Sequence, residues 1–167
     1  MLLTFDIEDW FHVLDPQNAP SQELWTTLET RFEPILDDII KLLAKNDQIG
    51  VFFVLGWMAE RYPDCVRKIL DHGHMIGSHS YSHTLIFNQT PSDFLEDTKK
   101  SIDILSSQAK REITMYRAPG FSIRQDTLWA FKVLIDLGIT KDFSVFGAKR
   151  FHGGLDSKVN VSEPFLI

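Results

Sequence analysis

Gly50-Val51-Phe52-Phe53-Val54-Leu55 is a short, unbroken apolar run closed by Gly56. A run this brief, rich in β-branched and aromatic residues, reads as a strand buried on both faces, as in a parallel sheet covered by helices. The sequence on either side agrees. Residues 21–45 carry Trp25, Leu28, Phe32, Leu36, Ile39 and Leu43 at spacings of three and four, the pattern of an amphipathic helix. Pro34 inside that run is expected to split or kink it. Downstream, residues 56–62 read as a short helix, and Pro63 opens another, with Cys65, Val66, Ile69 and Leu70 on its inner face and Gly73 near its end.

The alternation extends both ways. Residues 2–6 form a short apolar strand, and residues 74–77 a third strand after the one at 50–55. Thr90-Pro91-Ser92-Asp93 starts a helix that runs to about residue 109. Met115-Tyr116 is a fourth strand, residues 126–137 a helix stopped by Gly138, and residues 142–146 a fifth strand. Strand and helix in turn imply a parallel sheet with right-handed crossovers, an α/β fold. The length of 167 residues fits one domain, expected over residues 1–167, and the composition (44% apolar, 24% charged) is that of a globular chain.

Charge and cysteine content narrow the function. A net charge of −6 with no basic stripe argues against nucleic acid as a partner. Cys65 is the single cysteine, so no intrachain disulfide forms, and a packed core thiol is expected there. No signal peptide and no stretch long enough to span a bilayer is evident, so a cytoplasmic location is the expectation.

Three polar motifs sit at the C-terminal ends of the expected strands, where α/β barrels and open α/β sheets place their active sites. His79-Ser80-Tyr81-Ser82-His83 holds two histidines four residues apart, which share a face if the backbone forms a helical turn. Asp6, Glu8 and Asp9 crowd three carboxylates into four residues, an arrangement that a cation relieves. Two histidines and one carboxylate are a common ligand set for a catalytic divalent metal, and a second carboxylate is then left to take a proton from water. Arg117, after the fourth strand, can hold that free carboxylate through charge-assisted hydrogen bonds. Gly120 permits close backbone approach to a ligand, and Trp10 and Phe121 are the aromatics expected beside the site. His12 could border it, His72 and His74 should bond locally, and His152 should be exposed in its Gly-rich loop.

On these residues the chain resembles the polysaccharide deacetylases (carbohydrate esterase family 4). Thr4-Phe5-Asp6-Ile7-Glu8-Asp9-Trp10 is similar to their first motif, Ser78-His79-Ser80-Tyr81-Ser82-His83 to the second, and Arg117-Ala118-Pro119-Gly120-Phe121 to the third. The order is the family's, and the nearest likeness is to the branch associated with exopolysaccharide and surface glycans. The resemblance implies a distorted, incomplete (β/α) barrel and metal-dependent removal of acetyl groups from N-acetylated sugars. It makes Asp6 the general base oriented by Arg117, and His79 and His83 metal ligands. Asp9 ranks first and Glu8 second for the remaining ligand. The backbone around Gly120-Phe121 would help to bind the acetyl group. Zinc suits the ligand set, and cobalt, nickel or iron would fit it.

One departure is evident. The family's general acid is a histidine in a C-terminal Leu-x-His-type motif, and nothing after Phe146 matches it. The expectation is therefore a barrel truncated at its C-terminus that binds metal but turns over weakly, with exposed strand edges that favour self-association. Competing readings are an allantoinase-like or other small-amide hydrolase, and a non-catalytic glycan-binding module.

Overall fold

The computed structural model describes residues 2–14, 19–147 and 152–154. Phe151 of the Phe-His-Gly-Gly loop and the chain after residue 154 lie outside them. Five strands, β1 (Leu3–Ile7), β2 (Gly50–Val54), β3 (Met75–Ser78), β4 (Met115–Tyr116) and β5 (Lys141–Asp142), form one sheet in the order β1-β2-β3-β4-β5, every pair parallel. An order that simply follows the sequence is that of a singly wound, barrel-type sheet. A doubly wound sheet would reverse direction partway. The fifth strand is shorter than the sequence suggests, Lys141–Asp142 rather than residues 142–146.

The helices are α1 (Phe32–Lys45), α2 (Gly56–Arg61), α3 (Pro63–Asp71), α4 (Pro91–Ala109) and α5 (Trp129–Asp136). The expected helix over residues 21–45 is two elements, a 3-10 segment at Gln22–Thr27 and then α1. The break precedes Pro34, which sits in the first turn of α1 where a missing N–H costs nothing. The start of α4 is as the sequence suggests: the Thr90 hydroxyl accepts from Asp93 N–H, and the Asp93 carboxylate accepts from Thr90 N–H.

Strand pleating sorts the residues between two faces. Leu3, Phe5, Ile7, Phe52, Val54 and Ile76 pack under the helices with Leu36, Ile40, Leu43, Val66, Ile69 and Leu105. A second cluster, around Phe94, Tyr116, Ile123, Phe131 and Leu134, lies beneath α4 and α5. Cys65 is a buried core thiol whose pKa burial pushes up to about 12. The alternate residues Thr4, Asp6 and Phe53 take the other face, together with Gly77. Gly77 is required there, because a Cβ at that position would lie 2.7 Å from the Phe53 ring. Among the described residues, no helix is long and apolar enough to cross a membrane.

Candidate metal centre and active site

The inner face of the sheet opens at its C-terminal end into a cavity of about 630 Å³, within the size range of small-molecule sites. Asp6, Glu8, His79 and His83 line it, with Trp10, Gly120 and Phe121 around them.

The acidic motif divides its carboxylates by the pleat. Thr4, Asp6 and Glu8 follow at intervals of two, which carries Glu8 to the inner face beside Asp6. Ligand atoms of Glu8, His79 and His83 lie within 4.8 Å of one another, a grouping able to hold one metal ion. Asp9, ranked ahead of Glu8 from the motif, falls outside that group. Its Oδ2 accepts the backbone N–H groups of Arg31 (2.8 Å) and Phe32 (3.4 Å), and its Oδ1 that of Trp10 (2.8 Å). The side chain is thus committed to the start of α1, whose first N–H groups have no helical partner. Asp9 still borders the cavity, but its buried carboxylate works as a helix cap.

The histidines meet by a route other than a helical turn. Residues 79–83 form an irregular loop with Ser80 at φ 64° and His83 at φ 57°, and the two rings stand 5.2 Å apart between centroids. Positive φ at non-glycine residues is costly, so the loop has to be held from outside. The first turn of α2 supplies part of the hold: Gly56 N–H donates to Ser80 O at 2.8 Å and Trp57 N–H to Tyr81 O at 3.3 Å. Asp97 of α4 supplies the rest, accepting Tyr81 N–H at 2.8 Å and Ser82 N–H at 3.0 Å. His83 N–H closes the loop on Ser80 Oγ.

Hydrogen bonding decides what each imidazole can do. Arg117 O lies 2.8 Å from His79 Nδ1, and a carbonyl only accepts, so Nδ1 carries the proton and the Nε2 lone pair is left for a metal. His83 Nε2 approaches Glu8 Oε2 to 2.6 Å. Burial lowers the His79 pKa, and the neighbouring His83 adds to the effect against the opposing pull of Asp6. Burial works to raise the Glu8 carboxyl, but His83, with His79 and His12 nearby, outweighs it and holds Glu8 below the ordinary carboxylate value. A neutral imidazole at His79 and an ionised carboxylate at Glu8 are states that suit a divalent cation. The donor set therefore fits such an ion.

Asp6 stands beside this cluster. Arg117 Nη1 donates to Asp6 Oδ1 and Nη2 to Thr4 Oγ1, both at 2.8 Å. The guanidinium lies over the Phe53 ring at 4.2 Å. The other oxygen, Oδ2, faces His79 Nε2 at 3.9 Å. The pairing of Arg117 with Asp6 expected from the sequence is thus present, and it leaves one carboxylate oxygen turned toward the metal-ligand group.

On the opposite wall, Gly120 adopts φ 60°, and a Cβ there would meet Leu14 Cδ1 at 2.7 Å. Phe121 N–H is committed to Ala118 O at 3.0 Å. Trp10 is about half exposed at the rim, its indole N–H bonded to Glu29 O. His152, expected to be exposed, is half-buried and lines the cavity next to Gly120 and Phe121. His12 also borders the cavity. Burial and the neighbouring His83 push its pKa down to about 3, so it is neutral. His72 bonds locally, as expected, to Lys68 O.

Sequence reasoning passed over Asp142, at the end of β5. It accepts both the N–H and the hydroxyl of Ser144, and burial pushes its pKa up to about 6 against the pull of those bonds and of Arg117. The signal was faint: β5 is two residues long, and one carboxylate in a short polar stretch has no pattern around it.

Comparison with known proteins places this geometry. Residues 16–140 match the family model described as polysaccharide deacetylase. A peptidoglycan-N-acetylglucosamine deacetylase of Bacillus cereus is 34% identical over 101 residues, 58% of this chain and 37% of the relative. A chitin deacetylase of Colletotrichum lindemuthianum is 30% identical over 132 residues, 76% of this chain and 47% of the relative. Among solved structures, a carbohydrate esterase family 4 pseudoenzyme from Bacillus anthracis superposes with a TM-score of 0.65 at 17% identity, over 84% of this chain and 41% of the other. The chain therefore spans less than half the length of these relatives.

Proposed function

The chain belongs to the polysaccharide deacetylase family, and from that premise we propose that it is a metal-dependent hydrolase that removes acetyl groups from the N-acetylated sugars of a bacterial glycan. The observation that carries this reading is the placement of Asp6, tied to Arg117 at 2.8 Å through one oxygen, with the other 3.9 Å from His79 in the Glu8–His79–His83 group.

An ion held by Glu8, His79 and His83, zinc by the chemistry of the set, would polarise the acetamide carbonyl and acidify a water. Asp6 takes that water's proton on Oδ2 as the oxygen attacks the carbonyl carbon. Arg117 holds the carboxylate in place for the transfer. The C–N bond then breaks, and the departing amine needs a proton. His152, on the wall beside Gly120, is the residue we assign to deliver it. Trp10 presents an aromatic face at the rim on which a sugar ring can stack. A cavity of about 630 Å³ admits an acetylated sugar unit while Trp10 meets a neighbouring one.

The test is acetate release from N-acetylglucosamine oligomers by the zinc-loaded chain. The expected result is release above background that is lost on chelation and in Asp6→Asn, with His152→Gln slowed by about 100-fold or more at unchanged zinc affinity. A folded, zinc-loaded chain that releases no more acetate than Asp6→Asn would overturn the reading. It would favour instead a fold that has given up turnover, as the Bacillus anthracis pseudoenzyme is described.

A further inference from the structure

His12 is not used by the reading above, yet its environment is unusually constrained. The backbone N–H of Asp9 donates to His12 Nδ1 at 2.8 Å. An amide N–H only donates, so Nδ1 holds the lone pair and, in the neutral ring, the proton sits on Nε2. This is the reverse of His79, whose Nδ1 faces a carbonyl. His79 therefore offers a lone pair at Nε2, whereas His12 offers an N–H and cannot ligate through that atom. The ring cannot swing away to find water. It is 3% exposed and caged by Phe11, Trp25 and Trp57, with ring centroids at 4.4, 4.3 and 5.3 Å.

His12 Nε2 is nonetheless buried without a hydrogen-bond partner among the described residues. So is Glu8 Oε2, whose 2.6 Å approach to His83 Nε2 lacks hydrogen-bond geometry. One orphan is a donor and the other an acceptor, on residues of the same cavity wall, and both flank His83, whose ring lies 6.2 Å from that of His12. Leaving either atom unpaired is costly in a buried site. A ligating carboxylate keeps lone pairs that can accept a donor, and such outer partners fix the ligand's orientation.

We propose that His12 is a positioning residue for Glu8: its Nε2–H donates to the Glu8 carboxylate. This inference rests on the assignment of Glu8, His79 and His83 as the metal-holding group. It gives the buried imidazole a role that needs no change of protonation, only an N–H fixed in place by Asp9. The same short segment would then set both ends of the arrangement, with Glu8 as ligand, Asp9 N–H orienting His12, and His12 orienting Glu8.

The test is zinc affinity by calorimetric titration of the full chain, for the wild type, His12→Phe and His12→Gln, with each His12 variant also made in a Glu8→Ala background. Thermal melts in chelator establish that each variant is folded. His12→Phe should weaken zinc binding by about 10–100-fold. His12→Gln, whose amide can place an N–H near the Nε2 position, should recover most of that loss. In the Glu8→Ala background, His12→Phe should have no further effect, because the residue acts through Glu8. Undiminished zinc affinity in His12→Phe, or an equal loss whether or not Glu8 is present, overturns the proposal. If wild type binds zinc and His79→Ala does not, such a result leaves the metal centre standing and removes only the role of His12. Absence of zinc binding by the folded wild type overturns both.

Discussion

Glu8 and Asp9 are adjacent carboxylates with opposite assignments, so exchanging each for alanine gives two different failures. Glu8→Ala removes one of the three side chains grouped as able to hold a metal ion. Its effect on zinc affinity should exceed the about 100-fold that marks the upper end for outer-shell partners. The same change relieves a partly buried carboxylate of no bond that holds a helix, so the metal-free protein should melt within a few degrees of wild type. Asp9→Ala does the reverse. It orphans the N–H groups of Trp10, Arg31 and Phe32 at the entrance to α1. Loss of a helix cap costs about 0.5–2 kcal/mol. The carboxylate is buried and its bonds are charge-assisted, which puts the cost near the upper end, about 2 kcal/mol. At about 2–4 °C per kcal/mol for a chain of this size, the metal-free melting temperature should fall by about 4–8 °C. Zinc affinity, measured below the transition, should change by less than in Glu8→Ala. Melting in chelator and calorimetric titration with zinc read the two effects separately. The reasoning is refuted if Asp9→Ala abolishes zinc binding while Glu8→Ala leaves it intact.

Further predictions follow from the same geometry. Asp97→Ala removes the carboxylate that holds Tyr81 N–H and Ser82 N–H. The strained loop then loses its anchor on α4, and zinc affinity should fall by about 10–100-fold without any ligand being touched; unchanged affinity would show that α2 alone holds the loop. Arg117→Lys keeps the charge but cannot bridge Asp6 Oδ1 and Thr4 Oγ1 as the guanidinium does. Turnover should drop by up to about 100-fold with zinc binding retained, as misplacement of a base by about 1 Å can cost. Equal turnover would separate Arg117 from the chemistry. Asp142 gives a pH signature. Its folded pKa of about 6 lies above the ordinary 3.8, so the folded state holds the proton more tightly. The stability this contributes is fully present below about pH 4 and is lost as pH rises through 6, about 3 kcal/mol at full strength. Asp142→Asn cannot ionise, so its melting temperature should gain on wild type between pH 4 and 7. A constant difference across that range would contradict the assignment.

The strand–helix alternation and the site at the strand ends were legible because buried parallel strands read as apolar runs and crossover helices as amphipathic ones. Asp6, His79, His83 and Arg117 converge as the motif order suggests, since each leaves the C-terminal end of a strand, in β1, β3 and β4. For the third carboxylate, the motif and the strand pleat point to different residues. Continuing the two-residue alternation from Thr4 through Asp6 selects Glu8, whereas comparison with a motif of adjacent aspartates favours Asp9. The histidines meet without a helical turn: Gly56, Trp57 and Asp97 hold the loop with Ser80 and His83 at positive φ, and none of these contacts is local in sequence. His152 was out of reach for the same reason. A histidine 32 residues after Gly120 shows nothing in its own neighbourhood of the wall it will join.

The claim on which the account depends is that two imidazoles and a carboxylate from two separated stretches bind one ion. X-ray absorption at the zinc edge of the chain loaded with one equivalent tests it most directly. The account predicts a shell of nitrogen and oxygen neighbours at about 2.0–2.2 Å with the outer scattering of two imidazoles and no sulfur, reduced to one imidazole in His83→Ala. A shell of oxygen alone, or a spectrum unaltered by His83→Ala, would contradict it.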